Sequence, residues 1–278
     1  MSGPGGDTRA RTGGVNEQRL VFGEDPELYD RARPGYPDAL VDDVLAFSGA
    51  GRTPCRALEV GAGTGKATIA FARRGVRILA LEPDPAMAGV AARHCEPFSR
   101  VAIHQTSFED WPLVAGAFDL VFCAQAWHWV RPDVRCALAA AALVPGGTLA
   151  LFWHRILWAQ GDPVREELDE CYRRHAPTLY ARAPGFPGLT PIAREEEACE
   201  EVASSERFTD VALHAHPWQA SFGPREFVEL LQTQSDHRVL DEGVRRELLD
   251  AVHAVVERHA GRIVVPYTTF LVLAHRVP

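Results

Sequence analysis

The sequence has no long apolar segment and no sign of a secretory signal. Its 278 residues are 46% hydrophobic and 24% charged, and no apolar run reaches the roughly 18 residues that a membrane-spanning helix needs. The first 18 residues are rich in Gly, Arg and Thr and lack the apolar middle of a signal peptide. We therefore expect a cytoplasmic protein without a membrane anchor, in which residues 1–19 form a mobile leader.

Closely spaced cysteines and an excess of basic residues are also missing. The six cysteines are scattered singly, whereas zinc sites and redox dithiols use close pairs, so we expect reduced packing thiols and no metal. The formal charge is -8 and the pI is near 5.8. A nucleic-acid backbone requires a concentrated basic surface, which makes tRNA or rRNA an unlikely partner.

Short apolar runs alternate with helical patterns over much of the chain. This alternation is typical of an α/β fold with a mainly parallel sheet and helices on both faces. The runs that suit strands are residues 57–60, 77–81, 101–104, 118–124, 147–153, 211–222 and 263–276.

The segment from residue 155 to residue 207 interrupts that alternation. It combines a charged helical stretch, residues 164–175, with a passage rich in Pro and Gly. We predict that 155–207 is a cap or lid inserted into a single domain that spans residues 20–278.

A glycine-rich turn, EVGAGTG at residues 59–65, lies where the first strand meets the next helix. Glycine accepts unusual backbone dihedral angles and lets a ligand approach the main chain closely. Such a turn is weak evidence alone, but Glu82 lies about twenty residues later at the end of the second strand, where a carboxylate can bind ribose hydroxyls. Together these features predict a nucleoside pocket.

The turn differs from those that bind dinucleotides. Their third glycine comes one position later, where this chain has Lys66. Glu59, next to the turn, would repel a phosphate but would suit the ammonium and sulfonium charges of S-adenosylmethionine. An ordinary glycine turn with solvated acids is the alternative interpretation.

Five motifs occur in the order that is typical of class I S-adenosylmethionine-dependent methyltransferases, which the chain resembles over about residues 20–278. The motifs are 58–65 (LEVGAGTG), 81–84 (LEPD), 107–111 (SFEDW), 118–121 (FDLV) and 143–147 (LVPGG). The likeness is greatest to the subgroup of trans-aconitate methyltransferase-like and actinobacterial small-molecule enzymes. It implies a Rossmann-like seven-stranded sheet whose last strand lies antiparallel beside the fifth.

The resemblance also implies which residues contact the cofactor, S-adenosylmethionine. Along that molecule they are Tyr29 and Arg33 at the carboxylate, Glu59 at the amino-acid end, Gly61, Gly63 and Gly65 beneath the methionine and ribose, Glu82 on the ribose, Phe108 and Glu109 at the adenine, and Gln125 at the sulfonium.

Catalysis of methyl transfer can rest on positioning, but a hydroxyl or protonated amine must also lose a proton. Histidine is the side chain best suited to accept it at neutral pH. His128 and His154 both follow strands whose carboxyl ends should face the pocket, so each is a candidate catalytic base. A structural role is the alternative for either residue, and His237 and Tyr267 are weaker candidates.

Three tryptophans, Trp127, Trp129 and Trp153, are candidates for an aromatic wall around the substrate, with packing under the cap as the alternative. They favour a small aromatic acceptor from secondary metabolism, methylated on O, N or C, and a carboxylate acceptor comes second. A nicotinamide-dependent oxidoreductase and a non-catalytic cofactor-binding module remain open as other classes of function.

Overall fold

The computed structural model describes residues 21–49, 55–182 and 194–278. The predicted leader, residues 1–19, lies outside the described residues. A seven-stranded sheet has the strand order β3-β2-β1-β4-β5-β7-β6. The strands are β1 (Arg56–Val60), β2 (Arg77–Leu81), β3 (Val101–His104), β4 (Phe118–Ala124), β5 (Leu143–Ile156), β6 (Phe208–Phe222) and β7 (Ile263–Arg276).

The strand directions confirm the predicted Rossmann-like fold. Neighbours among β1 to β5 pair in parallel, whereas β7 is antiparallel to both β5 and β6. The last strand is therefore inserted beside the fifth, as the resemblance implies. The carboxyl ends of β1, β2, β4 and β5 meet at one edge of the sheet, where ligands of open α/β sheets bind.

Helices cover both faces of the sheet. The apolar residues of a strand point alternately to its two faces. Leu58 and Val121 therefore belong to one buried cluster, whereas Ala57, Leu120 and Phe122 belong to another. In chain order the helices are α1 (Pro26–Ala32), α2 (Asp38–Phe47), α3 (Lys66–Ala72), α4 (Pro85–Cys95), α5 (Arg135–Ala142), α6 (Pro163–His175), α7 (Pro177–Arg182), α8 (Arg194–Ser204), α9 (Pro224–Gln232), α10 (Ser235–Arg238) and α11 (Glu242–Arg258).

The described parts of the predicted cap belong to two different cores. Leu168 and Tyr172 of α6 pack with Phe227 of α9 and with residues of α11 in a third buried cluster. Ala198 and Val202 of α8, a helix that the sequence did not reveal, pack against the main sheet instead. The start of α8 and the segment around α10 thereby both reach the carboxyl edge of the sheet.

None of the helices in the described residues combines the length and apolarity that crossing a membrane requires.

Candidate active site

The glycine turn between β1 and α3 is tied to the second strand. The amides of Gly61 and Ala62 both donate to the carbonyl of Leu81, at 2.9 and 3.0 Å. Gly61 has φ 73°, and a Cβ there would lie 2.5 Å from the Cβ of Ala126. Only glycine leaves room for the loop after β4 at this position, so the turn stays open at the sheet edge.

The three predicted glycines have different surroundings. Gly61 and Gly63 line a cavity at the sheet edge, whereas Gly65 is not among its lining residues. A Cβ on Gly65, which has φ 87°, would lie 3.3 Å from the Cα of Ala91. Gly65 therefore allows α3 to pack closely against α4, which is a structural role.

Glu82 is held at the end of β2 by two backbone amides. Its Oε2 accepts from the amide of Gly63 at 2.8 Å, and its Oε1 accepts from the amide of Asp84 at 2.9 Å. The side chain lines the cavity. Because each carboxylate oxygen has two lone pairs, both oxygens can still accept a hydrogen bond from a ribose hydroxyl.

Glu59 lies beneath the turn and is fully buried. The hydroxyl of Thr68 donates to its Oε2 at 2.5 Å, while Oε1 has no hydrogen-bond partner among the described residues. Burial raises the pKa of Glu59 to about 8. Glu59 is not one of the residues that line the cavity, so any support that it gives to a cofactor acts through the turn above it.

The cavity has a volume of about 490 Å³ and runs along the carboxyl ends of the strands. We call the part formed by Gly61, Gly63, Glu82 and residues 106–109 the cofactor end. The other part of the cavity lies past β4, and we call it the acceptor end. It is formed by residues 153–156, Tyr267 and the lining residues of α8 to α10, which are Arg194, Glu195, Leu230, Ser235 and Asp236.

Two predicted residues, Tyr29 and Arg33, line the cavity between its two ends. The guanidinium of Arg33 lies 5.1 Å from the ring centroid of Tyr29. Its Nε donates to Thr233 Oγ1 at 2.8 Å, and its Nη2 donates to Gln234 Oε1 at 3.1 Å. Arg33 thus joins the start of the chain to the end of α9, about 200 residues away.

The remaining predicted cofactor residues also line the cavity. Phe108 is 3% exposed, and Glu109 accepts a hydrogen bond from the amide of Arg131 at 3.0 Å. Gln125 follows β4 with φ 62°, a left-handed conformation that is uncommon outside glycine and tends to occur at functional sites.

The structure separates the three candidate tryptophans. Trp129 and Trp153 line the cavity, but Trp127 does not. Trp127 is 1% exposed in the sheet core, and its Nε1 donates to Glu201 of α8 at 3.3 Å. Sequence spacing could not reveal this difference, because the short 3-10 turn Trp127–Trp129 points its first and last rings in different directions.

His154, which lines the acceptor end, has both ring nitrogens within hydrogen-bonding distance of a partner. Its Nδ1 is 2.8 Å from Thr269 Oγ1 and its Nε2 is 3.1 Å from the carbonyl of Gly35. A carbonyl only accepts, so Nε2 carries the proton and Nδ1 accepts from the hydroxyl. The ring stacks on Tyr36 at 4.6 Å, and burial lowers the pKa of His154 to about 3.

His128, by contrast, has a buried Nδ1 without a hydrogen-bond partner among the described residues. Its ring lies against Trp129, with centroids 4.6 Å apart. Burial, and then the charges of Arg194 and Arg135, lower the pKa of His128 to about 2. Both histidines therefore reach the cavity, but neither has the near-neutral pKa that suits a general base.

Buried polar atoms without partners among the described residues are frequent in the cavity wall. Such atoms are rare in folded proteins, and each calls for a ligand or a water molecule. Those on residues of the cavity wall are Thr64 Oγ1, His128 Nδ1, Trp153 Nε1, Arg155 Nε, Glu195 Oε2 and Tyr267 Oη.

Sequence analysis missed several residues that the fold brings to the acceptor end. Arg194 and Glu195 begin α8, and Asp236 lies in α10. Arg155, which also lines the cavity, forms an ion pair with Glu195. No local motif marks these positions, because long-range packing places them there.

Comparison with known proteins agrees with this geometry. Residues 57–147 match the family model described as a methyltransferase domain. An uncharacterized methyltransferase of Mycobacterium tuberculosis is 30% identical over 272 residues, which cover 93% of this chain and 96% of the relative. An uncharacterized methyltransferase-like protein of Schizosaccharomyces pombe is 32% identical over 175 residues, covering 60% of this chain and 66% of that protein.

Solved structures show the same fold. A protein of Anaeromyxobacter dehalogenans described as a type II methyltransferase matches with a TM-score of 0.60 and 23% identity, over 88% of this chain and 99% of that chain. A protein of Anabaena variabilis described as a methyltransferase from an antibiotic biosynthesis pathway matches with a TM-score of 0.58 and 16% identity, over 87% and 98% of the two chains.

The seven-stranded sheet and the cavity at its carboxyl edge are those of an α/β enzyme. The chain belongs to the methyltransferase family, and its sheet has the strand order of the Rossmann-like fold.

Proposed function

We propose that the chain transfers the methyl group of S-adenosylmethionine to O, N or C of a small polar acceptor, and that an aromatic acceptor fits the acceptor end best. The observation that carries this proposal is the continuous cavity that joins Glu82 and the glycine turn to a wall of aromatic rings and of buried polar atoms that have no hydrogen-bond partner among the described residues. Ligands bound along the cavity could satisfy those atoms.

The cofactor end has the chemistry that S-adenosylmethionine requires. Glu82 offers lone pairs to both ribose hydroxyls, and Met87 and Phe108 supply apolar surface for the adenine. Lys66 follows the turn and lines the cavity, and its Nζ lies 3.5 Å from Asp30 Oδ1, an ion pair that offsets its positive charge. These features favour a sulfonium nucleoside over a dinucleotide.

Positioning accounts for most of the catalytic task in this proposal. Bound S-adenosylmethionine supplies an electrophilic methyl group on a sulfonium. The residues of the chain hold the ribose at Glu82, exclude water, and orient the acceptor against Trp129, Trp153 and Tyr267. His128 and His154 line the same cavity, and we propose that they shape the acceptor site rather than accept a proton. Both ring nitrogens of His154 already have partners, and burial lowers the pKa of both residues.

A product screen tests the proposed activity. The purified protein is incubated with S-adenosylmethionine carrying an isotope-labelled methyl group and with phenols, aromatic amines and carboxylic acids, and products are detected by mass spectrometry. The proposal predicts a labelled product and equimolar S-adenosylhomocysteine. Cofactor binding without any methylated product would favour a non-catalytic module, and turnover with a nicotinamide cofactor would favour an oxidoreductase.

A carboxylate acceptor is the second candidate, and Arg194 supports it. Its side chain lines the cavity, is largely buried and has neither an ion pair nor a hydrogen bond among the described residues. A buried guanidinium of this kind can bind a carboxylate with two parallel hydrogen bonds. If this candidate is correct, carboxylic acids will give most of the product in the screen, and Arg194→Gln will remove that preference.

A further inference from the structure

A buried chain of three side chains ends at the acceptor end of the cavity. Tyr172 of α6 and His237 of α10 are both fully buried, and the Tyr172 hydroxyl lies 2.5 Å from His237 Nε2. His237 Nδ1 lies 2.8 Å from Asp236 Oδ1. Asp236 itself lines the cavity, and its side chain is 31% exposed.

The proton positions along this chain follow from the chemistry of its ends. A carboxylate only accepts hydrogen bonds, so Nδ1 of His237 carries a proton and donates it to Asp236. Burial keeps the pKa of Tyr172 well above its ordinary value, so its hydroxyl stays protonated and can donate to Nε2. The ring of His237 is thereby fixed in one orientation between its two partners.

The two oxygens of Asp236 have different surroundings. Oδ1 also accepts from the amide of His237 at 2.9 Å, so it takes two hydrogen bonds. Oδ2 has no hydrogen-bond partner among the described residues. Although burial opposes it, the hydrogen bonds from the ring and the amide of His237 keep the pKa of Asp236 below its ordinary value, so Oδ2 belongs to an ionised carboxylate.

The neighbouring cations are occupied elsewhere. Arg238 donates to the carbonyl of Gln232 and pairs with Glu24, and Arg33 donates to Thr233 and Gln234. The Asp236 side chain is 31% exposed, so an acceptor group that donates to Oδ2 would replace water there and form a charge-assisted hydrogen bond.

We propose that Asp236 is a specificity-determining residue of the acceptor end, where it receives a hydrogen bond from an amine or hydroxyl group of the acceptor. This inference rests on the proposed function and narrows its acceptor class to molecules that present an N–H or O–H donor at Oδ2. A carboxylate in the same place would meet a like charge. The aromatic residues Trp129, Trp153 and Tyr267 line the same cavity and suit an aromatic amine or phenol.

Binding of two matched fragments tests the proposal without a known acceptor. Benzylamine and benzoate have the same ring but opposite charges, and their affinities are measured by ligand-observed NMR on the protein saturated with S-adenosylhomocysteine. Asp236→Asn is the informative variant, since its Oδ1 can still accept from His237 while an NH₂ group replaces Oδ2. Glu242→Gln, which makes the same charge change at an exposed position with no side-chain hydrogen bond among the described residues, is the control.

We expect the wild-type protein to bind benzylamine at least about tenfold more tightly than benzoate, since hydrogen bonds to charged groups are strong. Asp236→Asn should remove that preference, and Glu242→Gln should keep it. The proposal would be overturned if the ratio of benzylamine affinity to benzoate affinity were the same in Asp236→Asn as in the wild-type protein. A wild-type preference for benzoate would also overturn it.

Two further measurements keep this test separate from the proposed function. The affinity for S-adenosylhomocysteine and the melting temperature should match the wild-type values in both variants, which shows that the cavity is intact. Failure of the wild-type protein to bind S-adenosylhomocysteine would refute the proposed function itself. In ¹⁵N NMR, the His237 ring should carry its proton on Nδ1, and a proton on Nε2 alone would contradict the inferred hydrogen-bond chain.

Discussion

Replacing Glu82 by glutamine should weaken cofactor binding more than any other single charge change at the cavity. In the wild-type protein the carboxylate accepts from the amides of Gly63 and Asp84, at 2.8 and 2.9 Å, and the side chain lines the cavity. A glutamine must turn its NH₂ group toward one of these two amides, which are themselves donors. The substitution therefore disturbs the turn as well as the ribose contact.

The magnitude follows from the hydrogen bonds that are lost. One hydrogen bond between a ribose hydroxyl and an ionised carboxylate contributes about 1.5–3 kcal/mol, which corresponds to a rise of about 10- to 150-fold in the Kd of S-adenosylhomocysteine. Leaving one partly buried amide without an acceptor costs up to about 1–3 kcal/mol of folding free energy, which lowers the melting temperature by several degrees in a chain of this size.

Calorimetry with S-adenosylhomocysteine and a thermal melt, measured on the same preparations, separate the two effects. Glu96→Gln is the matched control, because Glu96 is exposed at the end of α4 and its side chain makes no hydrogen bond among the described residues. We expect this control to match the wild-type Kd. A Kd for Glu82→Gln within twofold of the wild-type value would refute the assignment of Glu82 to the ribose.

Four other substitutions test the turn and the histidines. Burial raises the pKa of Glu59 to about 8 in the folded protein, against 4.5 ordinarily. Between these two pH values the folded state retains a proton that the unfolded chain releases, so the free energy of unfolding should fall as the pH rises. Glu59→Gln should remove that slope in melting temperatures recorded from pH 5 to pH 9, and an unchanged slope would contradict the assignment. Gly61→Ala should cost more folding free energy than Gly116→Ala in urea titrations, because both residues have positive φ but only Gly61 lacks room for a Cβ; equal costs would show that crowding at the turn is unimportant. His128→Ala and His154→Ala should each keep kcat within about tenfold of wild type, whereas a loss of more than about 100-fold in either would identify it as the proton acceptor.

Much of the fold could be predicted from the sequence because the parallel strands are buried on both faces. Such strands appear as short continuous apolar runs, as in β2 and β4, which have the predicted bounds. The edge strand β3 and the antiparallel strand β7 also have the predicted bounds. The bounds predicted for β5, residues 147–153, were wrong at both ends, because pairing begins at Leu143, continues through a turn at Gly146 and extends to Ile156.

Prediction was weaker for the acceptor end because its residues come from distant parts of the chain. The glycine turn and Glu82 are close to each other in the sequence and belong to one βαβ unit, so their spacing predicts their proximity. Arg194 and Asp236, in contrast, reach the cavity only because α8 packs on the sheet and Arg33 binds the end of α9. Neither contact leaves a local pattern in the sequence.

Calorimetric titration of the purified protein with S-adenosylhomocysteine, with NAD as the comparison ligand, tests most directly whether the cavity is built for a sulfonium nucleoside. We predict saturable binding of one S-adenosylhomocysteine per chain and no measurable heat of binding with NAD. Binding of NAD, or no binding of either S-adenosylhomocysteine or S-adenosylmethionine, would contradict the assignment of the turn and Glu82 to the methyl donor.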